Sequence, residues 1–161
     1  MTHTFPASRS HTVIALLIFL SVTFGVAWFG AQFTPGAWYL KIAKPSWTPP
    51  GWLFPPVWTF LYASMAVAAW LVWRQGGVRR ARTALIFFFV QLVLNGLWSW
   101  LFFGQHLIGA ALIDIIVLLS AIIAAPVLFF RHSRLAGILF LPYILWVSFA
   151  TALNFEIWRL N

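Results

Sequence analysis

TALIFFFVQLVLNGLWSWLFFGQHLIGAALIDIIVLLSAIIAAPVLFF, the stretch from Thr83 to Phe130, holds 48 residues and a single formal charge, Asp114. A helix needs about 20 apolar residues to cross the hydrocarbon core of a bilayer. The stretch is long enough for two crossings, not one and not three. Its most polar point is Gly104-Gln105-His106, where the break is placed. Spans are expected at 83–103 and 107–130, with Pro126 bending the second.

The same arithmetic extends outward. Residues 12–33 carry no charge and form a third apolar run. Residues 52–73 form another and begin among prolines, which the first turn of a helix tolerates. Pro55 and Pro56 predict a kink or a late start there. Residues 135–158 form the last, with Pro142 inside. The fold class is therefore an all-α membrane protein, a bundle of five transmembrane helices, in one domain covering 1–161. Composition agrees: 63% of residues are hydrophobic and 7% charged, against about 25% charged in soluble domains. Lipid is the solvent such a chain needs. The first run exceeds the roughly 7–15 residues of a signal-peptide core, so it is kept as a membrane segment. Met1 to His11 is read as a polar lead, disordered or at the interface.

The net charge of +8 arises because the chain has only two acids. Its arginines punctuate the apolar runs. RQGGVRRAR, from Arg74 to Arg82, is read as a loop, and residues 131–134 as a second. Five spans place Arg9, Arg74, Arg79, Arg80, Arg82, Arg131 and Arg134 on one side of the membrane and Lys41, Lys44 and Arg159 on the other. Seven against three puts the amino terminus in the cytoplasm of a bacterial cell membrane. An outer membrane would not license that rule. No soluble basic module is present, so nucleic acid is not an expected partner. The absence of cysteine excludes thiolate metal sites and cysteine nucleophiles.

Between the first two runs lies WYLKIAKPSWTPPGWLFPPVW, Trp38 to Trp58, with four tryptophans and five prolines. Residues 34–51 cannot form one helix, because their prolines deny backbone donors. Irregular backbone survives at membrane depth only when protein or water covers it. This segment is read as a structured cap on the bundle. Interfacial anchoring would explain Trp38 and Trp52 but explains the cluster from Lys44 to Pro50 poorly.

Polar residues inside spans point to function. Gln91, Asn95, Trp98, Ser99 and Phe102 share one helical face. So do Tyr143, Trp146, Ala150 and Asn154, and so do Trp58, Tyr62, Met65 and Ala69. Ser21, Gly25, Trp28 and Gln32 form a fourth stripe, either a packing face or a pocket wall. The faces of the later spans describe an interior of aromatic rings and a few amides, suited to a flat, mostly apolar ligand. Alternatively, Asn95 and Asn154 bond neighbouring helices. Asp114 is protonated, paired or near a span end, and a structural role is preferred to a proton relay. His3, His11, His106 and His132 make no metal pair at helical spacing, so no metal site is expected. No nucleophile triad or phosphate loop can be assembled.

The runs WYLKIAKPSWTPPGWLFPPVWTFLY, NGLWSWLFFG and LPYILWVSFATALNFEIWRLN together resemble the TspO/MBR family of tryptophan-rich sensory and translocator proteins, across nearly the whole chain. The resemblance implies five membrane helices, a homodimer, and binding of porphyrins such as protoporphyrin IX and of synthetic isoquinoline carboxamide or benzodiazepine ligands. No cofactor is required; the porphyrin is a ligand. By motif the implied ligand site comprises Tyr39, Trp47, Trp58, Asn95, Trp98, Trp146, Ala150 and Asn154, to which the helical stripe adds Tyr62. Transport, stress regulation and light-dependent porphyrin breakdown are the implied roles, with Trp58 and Trp146 the catalytic candidates for the last. The sterol motif of animal members has a Tyr where this chain has Phe155, ahead of Arg159, so sterol is not an expected partner.

Overall fold

A computed structural model of the chain describes residues 9–161. Most of the reading of Met1 to His11 as a lead thus lies outside the described residues, but its last three positions are helical. Helix α1 runs Arg9–Ala31. A short helix α2, Ala37–Lys41, follows within the capping segment. Then come α3, Phe54–Arg74, α4, Gly77–Ser99, and α5, Ile108–Phe130. The chain ends with α6, Arg134–Leu139, and α7, Leu141–Leu160. No strand occurs among the described residues. Five helical stretches are long and apolar enough to cross a membrane: Ser10–Ala31, Gly51–Arg74, Gly77–Gly104, Ile108–Phe130 and Arg134–Leu160.

Three boundaries differ from the sequence reading, each for a local reason. Arg74 to Arg82 is not a loop. Gly77 takes φ 69°, a left-handed conformation that glycine adopts without strain, so the chain reverses within two or three residues. Arg79, Arg80 and Arg82 then continue as helix, for which arginine is a good former. The capping segment is partly helical at α2. The last span is two helices, not one: Phe140 separates α6 from α7, and Pro142 occupies the first turn of α7, where its missing N–H costs nothing. The late start foreseen for the second span is real. A single 3₁₀ turn, Gly51–Leu53, precedes α3, and Pro55 and Pro56 fall in the first turn.

The break between the third and fourth spans lies where polarity placed it. After Ser99 the helix widens over Trp100–Gly104, with Gln105 N donating to Trp100 O at 2.8 Å. Such five-residue turns are frequent at functional positions. His106, at φ 58°, completes the turn. α5 runs unbroken through Pro126.

The packed core lies toward the arginine end. Met65, Ala66, Ala68, Ala69 and Val72 of α3 are fully buried against Phe88, Phe129, Phe140 and Tyr143. The alanines let the helices approach closely, as membrane packing requires. α1 is the least embedded span. Its buried face is Ala15, Phe19 and Thr23, not the stripe Ser21, Gly25, Trp28 and Gln32, all of which are exposed.

Candidate functional site

Away from that core, toward the capping segment, the helices enclose a cavity of about 750 Å³. This lies within the roughly 300–1,000 Å³ of small-molecule sites. Helical spacing brings the lining together. Trp58 and Tyr62 are one turn apart on α3, with ring centroids 5.4 Å apart. Asn95 and Trp98 project from α4. The widened turn adds Phe102, whose ring stacks on Trp98 at 5.2 Å and 24°. Trp146, Ala150 and Asn154 recur every fourth residue on α7 and line the cavity. Tyr39 and Lys44 line it from the capping segment.

Eight of the nine residues singled out by sequence thus surround one space. The ninth, Trp47, does not line it. A turn in which Thr48 N and Oγ1 both bond Pro45 O, at 3.0 and 2.7 Å, presents Thr48 and Pro49 to the cavity instead. Trp47 packs edge-on against Phe149 at 5.6 Å. On the α1 and α3 side several lining residues are themselves open to the surroundings: Trp28 is 69% exposed, and Pro55 and Thr59 are also exposed. In a membrane that side faces hydrocarbon.

Each of the two asparagines lines the cavity, and each also ties helices. Tyr62 Oη donates to Asn95 Oδ1. Asn95 Nδ2 donates to Tyr143 Oη at 3.0 Å, and Tyr143 Oη donates to Gln91 Oε1 at 2.9 Å. This chain joins α3, α4 and α7. Trp98 Nε1 donates to Asn154 Oδ1 at 2.9 Å, and Asn154 Nδ2 to Ile108 O at 3.1 Å. Trp146 Nε1, by contrast, is buried with no hydrogen-bond partner.

The roof is held from three directions. Lys44 Nζ donates to Tyr39 O at 2.5 Å and Ile42 O at 2.9 Å, and lies 4.8 Å over the Tyr39 ring. Two of its three protons are thereby used, leaving one positive donor at the cavity lining. Burial pushes the Tyr39 phenol above its ordinary 10, so it stays neutral. Trp38 stacks on His106 at 4.2 Å and 14°, joining roof to the α4–α5 turn. Asn161 clasps Ala43 from the end of α7.

Sequence reasoning missed Phe54, Phe103 and Asn161. Phe54 lines the cavity and meets Trp146 edge-on at 5.6 Å, closing the gap between α3 and α7. Its position one turn before Trp58 was the available signal. Asp114 lies elsewhere, on α5, buried, with Oδ2 unpartnered and no ion pair. Of the three states open to it, pairing is not seen among the described residues. His106 and His132 lie at opposite ends of the bundle, at the turns after α4 and α5.

Five apolar spans around an aromatic cavity define a multi-pass integral membrane protein with an internal cavity. The model of the TspO/MBR family matches residues 16–159, and the chain belongs to that family. It is 43% identical over 136 residues to protein CrtK of Rhodobacter capsulatus, covering 82% of this chain and 83% of that one. It is 43% identical over 149 residues to the tryptophan-rich protein TspO of Archaeoglobus fulgidus, covering 92% and 95%. With the human translocator protein it shares 39% identity over 137 residues, covering 82% and 81%. Such relatives support a membrane sensory or translocator role.

Proposed function

We propose that the cavity binds a planar tetrapyrrole of the porphyrin class, and that the protein carries or senses it within the membrane. The observation that carries this is the convergence of three indoles, Trp58, Trp98 and Trp146, on one cavity of about 750 Å³ with a lysine at its roof. Indole faces stack on a flat ring system. Lys44 has one donor left for a propionate at the periphery. Lys41 does not line the cavity. The same space suits isoquinoline carboxamide and benzodiazepine ligands, which are also aromatic and largely apolar. The physiological unit of this reading is a homodimer in a bacterial cell membrane, amino terminus cytoplasmic. Titrating the purified protein with protoporphyrin IX tests it: tryptophan emission should be quenched saturably, with one site per chain.

A second reading is light- and oxygen-dependent breakdown of the bound porphyrin, with Trp58 and Trp146 as the oxidisable partners. Both indoles line the cavity, so a ring bound there would lie against them. Illuminating the aerated complex separates the two readings. Porphyrin loss faster than in free solution, abolished in Trp146→Phe with binding retained, supports breakdown. Loss at the rate of free porphyrin supports carriage or sensing alone.

A further inference from the structure

The far end of the bundle carries a different chemistry. Arg74 closes α3, Arg79, Arg80 and Arg82 lie in the first turns of α4, Arg131 follows α5, and Arg134 opens α6. All six are exposed. The α3–α4 and α5–α6 connections are short, so all six share one end of the bundle. Nothing in the chain neutralises them. Its only acids are Asp114, buried inside α5, and Glu156, which pairs with Arg159 at 2.8 Å beyond the opposite end.

Two of these side chains are positioned rather than merely exposed. The Arg74 guanidinium lies 4.6 Å over the Trp70 ring, and the Trp70 indole is itself fixed by a 2.9 Å bond from Nε1 to Thr12 O. The Arg80 stem lies along the α3–α4 turn, so close that a Cβ added at Gly76 would stand 2.6 Å from its Cδ. Arg74 ends one apolar span and Arg131 directly follows another, the ends of a span being where it would meet lipid phosphates. Arginine's planar fork suits a phosphate better than a point charge does. Clusters of four to eight basic residues at the ends of spans attract anionic lipid.

We propose that this arginine face is a docking surface for anionic phospholipid, whose headgroup phosphates supply the countercharge that the chain lacks. The site is distinct from the aromatic cavity and does not depend on what that cavity binds.

The test uses the full chain in neutral detergent, with thermal unfolding followed on adding phosphatidylglycerol, phosphatidylcholine or inorganic phosphate. Phosphatidylglycerol should raise Tm by several degrees, by selective binding to the native state. Phosphatidylcholine should not, and high salt should abolish the rise. The triple variant Arg79→Gln/Arg80→Gln/Arg82→Gln should bind phosphatidylglycerol roughly 100-fold more weakly, while the corresponding Arg→Lys triple, which keeps the charge and loses the fork, should fall between the two. Equal stabilisation by both lipids would overturn the proposal, as would a full response in the glutamine variant. An equal shift from inorganic phosphate would overturn the lipid assignment in favour of a soluble anion. Should the glutamine variant not fold, the wild-type comparison of the two lipids at low and high salt decides.

Discussion

Asn161 and Ala43 lie 118 positions apart and exchange two hydrogen bonds, each of 3.0 Å: Ala43 N donates to Asn161 Oδ1, and Asn161 Nδ2 donates to Ala43 O. The same Nδ2 also donates to Ile157 O at 2.7 Å. A side-chain amide here imitates a strand partner for one loop residue. It anchors the roof to the helix that carries Trp146, Ala150 and Asn154.

Removing that clasp should loosen the roof without unfolding the bundle. Each such bond contributes about 0.5–1.5 kcal/mol net, and these lie in exposed positions at the lower end. Asn161→Ala should lower Tm only slightly. Protease cleavage within 34–51 should accelerate, and the release of bound porphyrin should quicken several-fold in stopped-flow fluorescence.

Ala150 lines the cavity with the smallest side chain of the α7 face. Ala150→Leu adds three carbons into that space. Porphyrin affinity should fall by at least tenfold, while circular dichroism and Tm stay near wild type. An overpacked core would instead lose stability, so the two measurements together separate an empty space from a filled one.

Asn154 accepts from Trp98 Nε1 and donates to Ile108 O. Asn154→Leu leaves the Trp98 indole donor unmade. Burying an orphaned polar group costs about 1–3 kcal/mol, although such bonds in membranes average about 0.6 kcal/mol. A fall in Tm of a few degrees is expected. Trp98→Phe should recover part of it, because the orphaned donor is then gone.

Tyr39 gives a pH dependence whose sign follows from its burial. Its phenol is raised above 10 in the folded chain, so on raising the pH the unfolded chain releases this proton first. Stability from this group is complete below pH 10 and declines as pH rises above it. Tyr39→Phe should flatten the alkaline limb of the Tm–pH curve and leave the region from pH 6 to 9 unchanged.

Gly77 at φ 69° makes the α3–α4 reversal. Gly77→Ala places a Cβ in a conformation costing roughly 1–2 kcal/mol. Tm should fall while porphyrin quenching is retained, since the turn is at the far end from the cavity.

Much of this architecture was legible because membrane spans are a matter of length and polarity. The uncharged run 12–33 and the single weak point at Gly104–His106 locate spans without reference to packing. The cavity faces were legible too, because Asn95 with Trp98, and Trp146 with Ala150 and Asn154, recur at helical spacing. What failed depends on single backbone conformations or on tertiary partners. Gly76-Gly77 could as well have opened a long loop, and only the left-handed φ of Gly77 makes the arginines helical. Phe140 ends α6 without any breaker of its own. Trp47 and Thr48 are adjacent in a proline-rich turn, and composition cannot say which of them faces inward. Asn161 has no helical periodicity to betray it, because its partner lies in a loop.

The most direct measurement is a structure of the protein with protoporphyrin IX bound. The tetrapyrrole should lie beneath the roof, stacked among Trp58, Trp98 and Trp146, with a propionate near Lys44 Nζ. A porphyrin bound on the outer, lipid-facing surface with those indoles untouched would contradict the proposed function.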